Sequence, residues 1–236
     1  MSGTDVRYGV WATIGEPRTA AALTGSGLDW VVLDQQHGHF DDRAMRETYG
    51  LTPDRSLPLL VRVRANDAGL IGRVLDAGGD GVIVPLVDSA DEAAAAVAAA
   101  HHPPRGTRSW GFLPDTLRTD RVPFVAVMIE TAEALAAVEE IAAVPGIDML
   151  FVGPFDLSLR LGTTVDALLA DTRPDAPLPR VLAAAAKAGL IAGAFGAEPA
   201  RAAVLASLGF SWVIVTTDAG LLAAGHLQRD LAVRAD

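Results

Sequence analysis

The chain has 236 residues, half of them hydrophobic and a fifth charged, and its formal net charge is −10 at pH 7. This composition indicates a folded chain with a large core, and the acidic balance disfavours nucleic acid and anionic membrane surfaces, which require a basic face. The absence of cysteine excludes disulfides, thiolate metal ligands and thiol nucleophiles. No apolar run reaches the roughly 18 residues needed to span a bilayer, and the first residues lack a signal-peptide core. We therefore expect a cytoplasmic location.

Eight short apolar runs follow one another along the chain. Most are rich in Val, Ile or Leu on both faces, as is typical of parallel strands buried on both sides. Segments of helical composition separate most of them, for example 88–100 and 131–143. The runs are Tyr8–Ala12, Trp30–Leu33, Leu59–Val63, Val82–Leu86, Phe124–Ile129, Met149–Val152, Leu190–Phe195 and Trp212–Val215.

Eight strand–helix units of about 30 residues each predict an α/β fold of the (β/α)8 TIM-barrel type. We expect one barrel domain that covers residues 1–236, with 170–179 as a loop within it. The rival fold is a doubly wound sheet, in which a glycine-rich phosphate turn usually follows the first strand. Residues 12–17 read Ala-Thr-Ile-Gly-Glu-Pro, which is not such a turn.

A weak repeat precedes every even-numbered run, at 27–32, 79–84, 146–151 and 209–214. In each copy a glycine ends the preceding helix and a short turn enters the strand. These turns belong to the N-terminal end of a barrel, so we interpret their Asp and Gly residues as structural.

The active site of a (β/α)8 barrel lies at the carboxyl ends of its strands. Several polar residues stand at those positions, although none of their spacings is a motif alone. Their shared placement is the signal. They are Asp34 and His37 after run two, Arg62 and Arg64 in and after run three, Glu130 after run five, Asp156 after run six, and Asp218 after run eight.

Glu130 and Asp156 follow neighbouring strands, and two carboxylates with waters suit a hard divalent cation such as Mg²⁺ or Mn²⁺. Such an ion can polarise a carbonyl and stabilise an enolate. The alternative is that both carboxylates cap the helices that follow, where negative charge is favourable. The spacing leaves both interpretations open and slightly favours capping.

His37 follows Asp34 by three residues, and a carboxylate can orient an imidazole and raise its basicity. A packing or surface role is the alternative for a single histidine. Arg62 lies in an otherwise apolar strand, so it must pair with a carboxylate or meet an anionic substrate. In the long connection 101–122, Arg105 and Arg108 could grip a carboxylate or phosphate, or could form surface ion pairs.

Seven sequence pieces, in this order, resemble the HpcH/HpaI aldolases, the metal-dependent class II pyruvate aldolases. The resemblance covers nearly the whole chain, from Gly9 to Leu222. The pieces are LDWVVLDQQHG at 28–38, LVRV at 60–63, DAG at 76–78, VPLV at 84–87, PPRGTR at 103–108, IET at 129–131 and VGPFDLS at 152–158.

The resemblance implies the fold, the metal and the assembly. It implies a (β/α)8 barrel that forms a homo-oligomer, a hexamer or trimer, with the last helix packed on a neighbouring subunit. Glu130 and Asp156 would hold a divalent metal ion, Mg²⁺ or Mn²⁺, with Co²⁺ as a further candidate. Its small-molecule substrates would be a 2-oxo acid and an aldehyde, with no nucleic acid or membrane partner.

The resemblance also implies roles for individual residues. His37 would act as the base, directly or through a water, and Arg62 would stabilise the enolate. Asp76 matches a position that increases the basicity of the histidine, a task that Asp34 shares. Pyruvate would be held by Gly153, Pro154, Phe155 and Asp156, chiefly through backbone N–H groups, and by the side chain at Met128.

This chain departs from the family pattern at positions that would lie near the substrate. Many members have Gln where Met128 stands and a small residue, often Ala, where Phe155 stands. Gln35 and Gln36 precede His37 in place of the more usual Gly-Glu or Met-Gln, and the connection between 110 and 124 is shorter. These departures concern the choice of aldehyde and of 2-oxo acid donor.

The implied reaction is retro-aldol cleavage of a 4-hydroxy-2-oxo acid to a pyruvate enolate and an aldehyde. It needs no lysine, and the only lysine, Lys187, is predicted to lie away from the strand ends. Three alternatives stay open at this point. They are a condensing or decarboxylating enzyme for oxaloacetate-like acids, a non-catalytic binding or assembly barrel, and a sugar-phosphate isomerase barrel.

Overall fold

The computed structural model describes residues 5–111 and 122–233, with side chains up to residue 225. Eight parallel strands close into a barrel in chain order, each hydrogen-bonded to its neighbours and β8 to β1. This confirms the predicted (β/α)8 barrel. The strands are β1 (Arg7–Ala12), β2 (Trp30–Asp34), β3 (Leu59–Arg62), β4 (Gly81–Val84), β5 (Phe124–Ile129), β6 (Met149–Val152), β7 (Ile191–Phe195) and β8 (Trp212–Thr217).

Helices surround the barrel, and their apolar faces pack on the outward-facing strand residues. No helix in the described ranges is both long and apolar enough to cross a membrane. The helices are α1 (Pro17–Leu23), α2 (Asp42–Leu51), α3 (Ala68–Asp76), α4 (Ala90–Ala100), α5 (Ala132–Ala136), α6 (Val138–Ala142), α7 (Pro154–Arg160), α8 (Val165–Ala170), α9 (Pro177–Ala188), α10 (Pro199–Leu208) and α11 (Asp218–Val233).

Side chains fill the barrel interior, and large aromatic rings dominate it. The Trp30 ring lies 5.1 Å from that of Trp212 and 6.2 Å from that of Phe151, and Phe124 stacks on Trp212 at the N-terminal end. Because apolar side chains fill this interior, polar chemistry is confined to the strand ends.

The turns of the predicted repeat tie the N-terminal ends of neighbouring strands together. Asp29, Asp80 and Asp148 each accept a hydrogen bond from a backbone N–H of the preceding strand, at 2.7, 2.9 and 2.8 Å. These aspartates are structural, as the sequence indicated.

Most strands begin or end one or two residues from the expected position, and a helix and a loop also differ from those expected. The fourth strand ends at Val84, because Leu86 has a left-handed backbone with φ of 54°. The helical segment 131–143 is divided into α5 and α6 at Ala137. The proline-rich loop is shorter than predicted, because Pro177 begins α9, where a missing N–H costs nothing.

Candidate active site

A cavity of about 180 Å³ opens at the carboxyl ends of the strands. Its lining comes from β1, β3, β5, β6 and β7, from the loop after β2 and from the start of α7, so it is the mouth of the barrel. The lining residues are Trp11, His37, Arg62, Met128, Phe151, Gly153, Phe155, Asp156 and Phe195. Six of the predicted site residues therefore line one cavity: His37, Arg62, Met128, Gly153, Phe155 and Asp156.

Arg62 pairs with Asp34 on the neighbouring strand. Its Nε donates to Asp34 Oδ1 at 2.9 Å and its Nη2 to Oδ2 at 2.6 Å, and both side chains are buried. The guanidinium carbon also lies 5.0 Å from the centre of the Trp11 ring. The charge that the sequence placed in an apolar strand is thus satisfied, and a guanidinium with five N–H donors keeps further donors for a ligand.

Burial by itself would raise the pKa of the Asp34 carboxyl. The hydrogen bonds and charge of Arg62, together with the backbone N–H of Gln36, outweigh burial and hold that pKa below its usual value. Asp34 therefore stays ionised and serves as the fixed counter-ion of Arg62.

His37 lines the cavity and is exposed to solvent. Its backbone N–H donates to Asp34 Oδ1 at 3.4 Å, next to the Gln36 N–H at 3.0 Å. Asp34 therefore fixes the loop that carries His37, while no described residue hydrogen-bonds the imidazole. That ring is open to a substrate or water.

Glu130 is 2% exposed and follows β5 directly. Its Oε1 accepts the backbone N–H of Leu86 at 2.9 Å. Burial raises the pKa of the Glu130 carboxyl, and the nearby Asp156 charge raises it further, against the lowering effect of the Leu86 N–H. A carboxylate in this state gains from a nearby cation.

The capping interpretation of Glu130 is wrong. The helix after it, α5, is capped by Thr131, whose hydroxyl accepts the N–H of Ala134 at 2.9 Å. Asp156 lies in the first turn of α7, where negative charge is favourable, but its carboxylate makes no capping hydrogen bond. Pro154 begins this helix and is buried, and Gly153 is its N-cap.

The donor set fits a hard divalent cation held in part by other oxygens. The described residues contain no group of three or more His, Asp or Glu side chains that could enclose a metal. Asp156 lines the cavity, and Glu130 lies next to the lining residue Gly153. Among the described residues, none donates a hydrogen bond to Glu130 Oε2 or to the Asp156 carboxylate. Mg²⁺ typically binds one or two carboxylates plus substrate oxygens and waters, so these residues suit such an ion.

Asp76 and Arg108 lie elsewhere. Asp76 is the last residue of α3, which descends from the cavity end to the opposite end of the barrel, and its Oδ1 accepts from Arg108 Nη2 at 2.6 Å. Within one chain it does not line the cavity, so its effect on His37 stays a prediction. Arg108 forms an ion pair with Asp76 and does not line the cavity. Arg64 Nε donates a hydrogen bond to the backbone carbonyl of Gln35.

Asp218 is also structural. It is 2% exposed and accepts hydrogen bonds from the backbone N–H groups of Thr13 and Ile14, both at 2.9 Å. It therefore closes β8 onto the loop after β1 and contributes no free carboxylate to the cavity.

The sequence reasoning missed the aromatic side of the cavity, formed by Trp11, Phe151 and Phe195. The available signal was that Phe195 is the last residue of its strand and that Trp11 is next to last. Because these runs are apolar on both faces, periodicity alone could not say which residues point inward.

Comparison with known proteins agrees with this geometry. The family model described as HpcH/HpaI aldolase/citrate lyase matches residues 7–224. The sequence is 35% identical over 234 residues to a hydroxypyruvate/pyruvate aldolase of Paraburkholderia phytofirmans, covering 92% of this chain and 89% of the relative. It is 32% identical over 231 residues to a 4-hydroxy-2-oxo-heptane-1,7-dioate aldolase of Salmonella paratyphi B, covering 93% and 87%.

The fold has a similar solved structure. The crystal structure of an HpcH/HpaI aldolase/citrate lyase family protein from Burkholderia cenocepacia superimposes with a TM-score of 0.86 and 32% identity, covering 99% of this chain and 96% of that one.

Proposed function

The chain belongs to the HpcH/HpaI aldolase/citrate lyase family, and from this premise we propose how its site works. The chain is a carbon–carbon lyase. We propose that it uses a divalent metal to cleave a 4-hydroxy-2-oxo acid into pyruvate and an aldehyde. The observation that carries the proposal is the convergence of Arg62, His37 and Asp156 on one cavity, with Glu130 directly beside it.

Glu130 and Asp156 are the residues that would hold the metal. Glu130 offers its Oε2 because Leu86 already occupies Oε1, and Asp156 offers its whole carboxylate. When bound, a divalent ion polarises the 2-keto group and stabilises negative charge on its oxygen. Carboxylate oxygens suit Mg²⁺ or Mn²⁺ best and also accept Co²⁺.

The cleavage moves one proton and one pair of bonding electrons. His37 accepts the proton of the C4 hydroxyl, either directly or through a water, and the C4–O bond becomes the aldehyde carbonyl. The C3–C4 bond breaks, and its electron pair stays on C3 as the pyruvate enolate. Protonation of C3 then completes pyruvate, and the reverse sequence joins pyruvate to an aldehyde.

Arg62 stabilises the enolate oxygen. Asp34 holds the guanidinium in a fixed orientation, so the donors that remain face developing charge without reorganisation. The backbone N–H groups of Phe155 and Asp156 lie in the first turn of α7 and have no acceptor within the helix, so they suit the substrate carboxylate. Met128 provides an apolar contact beneath the keto acid.

A Schiff-base mechanism has no support in this chain. Lys187 is the only lysine, and it is exposed in the last turn of α9, on the outside of the barrel. An amine nucleophile would need to be in the cavity.

We further propose that the chain works as a homo-oligomer. The last helix, α11, makes its main contacts with β1 and β8, and Leu221 and Leu222 on it are 44% and 68% exposed. Exposed leucines on a terminal helix suit packing on a neighbouring subunit. A hexamer or trimer is the expected assembly.

Exchange of the pyruvate methyl protons in D₂O, followed by NMR, tests the proposed function. Enolate formation alone carries deuterium into C3, so the aldehyde need not be known. We expect exchange with Mg²⁺ or Mn²⁺ and none after EDTA. Absence of exchange in folded protein supplied with metal would refute pyruvate as the donor.

A further inference from the structure

The cavity has a charged side and an aromatic side. The charged groups come from the loop after β2, from β3 and from the start of α7, whereas the aromatic rings come from β1, β6, β7 and the residue before Asp156. This division separates the reacting end of a substrate from the rest of it. The charged side comprises His37, Arg62 and Asp156, and the aromatic side comprises Trp11, Phe151, Phe155 and Phe195.

The aromatic side is a continuous wall. The Phe195 ring meets Trp11 edge-on at 5.3 Å between ring centres and meets Phe155 at 5.9 Å. Trp11 in turn stacks on Phe151 at 5.5 Å. Because each ring packs on the next, the four rings form one apolar surface on this side of the cavity.

The cations near this wall already have partners. Arg62 is bound at two points by Asp34. Arg201 lies 5.7 Å from the Phe155 ring, but it does not line the cavity, and it pairs with Asp166 at 3.0 Å and Glu198 at 3.2 Å. Among the described residues, none presents an unpaired guanidinium or ammonium to the aromatic wall.

Resting on the proposed function, we propose that the acceptor of this enzyme is a short, uncharged, apolar aldehyde whose carbon chain lies against the wall of Trp11, Phe155 and Phe195. A carboxylate on the far end of the aldehyde would be placed against these rings without a counter-charge, which is strongly unfavourable. A dry cavity of about 150 Å³ holds one benzene molecule. The six heavy atoms of the donor would therefore fill most of a space of about 180 Å³, which leaves room for only a short aldehyde chain beside it.

Two substrates that differ in one group test the proposal. Racemic 4-hydroxy-2-oxoheptanoate releases butanal, whereas 4-hydroxy-2-oxoheptanedioate releases the four-carbon aldehyde that ends in a carboxylate. Pyruvate release is followed with lactate dehydrogenase, and kcat/KM is compared with Mg²⁺ present. We expect the monoacid to be preferred by at least about 100-fold.

Variants of the wall test its part in this preference. Phe195→Ala removes the central ring and should lower the preference about tenfold, chiefly by reducing kcat/KM for the monoacid. Phe124→Leu is the matched control, because Phe124 stacks on Trp212 at the opposite end of the barrel. This control should keep the wild-type ratio.

Pyruvate methyl exchange in the same samples separates the two proposals. Exchange together with equal or faster cleavage of the diacid would overturn the acceptor proposal and leave the aldolase proposal standing. A ratio that does not change in Phe195→Ala would also overturn it. No exchange and no cleavage of either substrate would refute both.

Discussion

The guanidinium of Arg62 and the carboxylate of Asp34 form a buried two-point hydrogen bond across the ends of β3 and β2. The same Asp34 oxygen that accepts from Arg62 Nε also accepts the backbone N–H of Gln36 at 3.0 Å. One carboxylate therefore orients the cation and also fixes the start of the loop that presents His37. The two side chains to which we assign catalytic roles are thus positioned by a single group.

Arg62→Lys should lower kcat for retro-aldol cleavage by about 100-fold or more. A lysine keeps the charge but cannot make the two-point bond to Asp34, so the donor would not be held toward the enolate. Steady-state pyruvate release measures the effect, and circular dichroism checks the fold. A folded Arg62→Lys protein with near-normal kcat would remove Arg62 from the mechanism.

Glu130→Gln and Asp156→Asn should each abolish metal-dependent activity. Both substitutions keep the side-chain shape but remove a negative charge that the cation needs. Mn²⁺ titration by isothermal calorimetry measures binding directly. Asp171→Asn is a suitable control, because Asp171 lies in the loop before α9 and pairs with Arg173. Retained Mn²⁺ binding and activity in both site variants would refute the metal assignment.

Metal affinity should fall as the pH is lowered. Burial, reinforced by Asp156, raises the pKa of Glu130, so the metal-free protein holds a proton there at pH values where an ordinary glutamate is ionised. A cation must displace that proton, so the apparent affinity is full above the raised pKa and is lost as the pH falls through it.

Calorimetric titration with Mn²⁺ at about pH 5 and about pH 8, in buffers of different ionisation enthalpy, checks this prediction. More protons should be released per bound ion at the lower pH. The same Kd and the same proton release at both pH values would contradict it.

The oligomer should be larger than a dimer by size-exclusion chromatography with light scattering. Leu222→Asp places a charge on the exposed side of α11 and should dissociate the assembly. Leu51→Asp is the matched control, because Leu51 is 48% exposed at the end of α2. A monomeric wild-type protein would count against the packing of α11 on a neighbour.

The sequence predicted the eight strands because each is an apolar run long enough to be buried on both faces. It also placed His37, Arg62, Glu130 and Asp156 at one end, because each of them ends or follows a parallel strand. Which of these side chains pair with each other could not be predicted from the sequence in the same way. That Asp34, rather than a substrate, neutralises Arg62 depends on the register of β2 against β3, which puts these two residues side by side.

The details that the sequence did not predict depend on contacts between distant elements. The left-handed backbone of Leu86 is an example, because it is held where its N–H can reach Glu130, 44 residues later in the chain. No local propensity favours a leucine in that conformation. The aromatic wall has the same origin, since its members come from three different strands and the start of α7.

Gly153→Ala should weaken metal binding about tenfold or more while leaving the fold intact. A Cβ at this position would lie 2.9 Å from Glu130 Oε2 and 3.0 Å from Met128 Cε, so the Glu130 carboxylate would have to shift from its present position. Glu130 is almost fully enclosed and has little room to turn without losing its bond to Leu86. The measurements that check this are the Kd for Mn²⁺ from calorimetry and the melting temperature of the variant.

Gly72→Ala is the control for the loss of a glycine. Gly72 lies within α3, and a Cβ there meets nothing within 4 Å, so alanine should bind Mn²⁺ as the wild type does and stabilise the helix by about 0.5–1 kcal/mol. If Gly153→Ala matches this control in Mn²⁺ affinity, the Glu130 carboxylate is not a metal ligand in the orientation that the structure gives it. If only Gly153→Ala loses affinity while both proteins melt cooperatively, the close approach of Gly153 to Glu130 is what keeps that carboxylate directed at the cation.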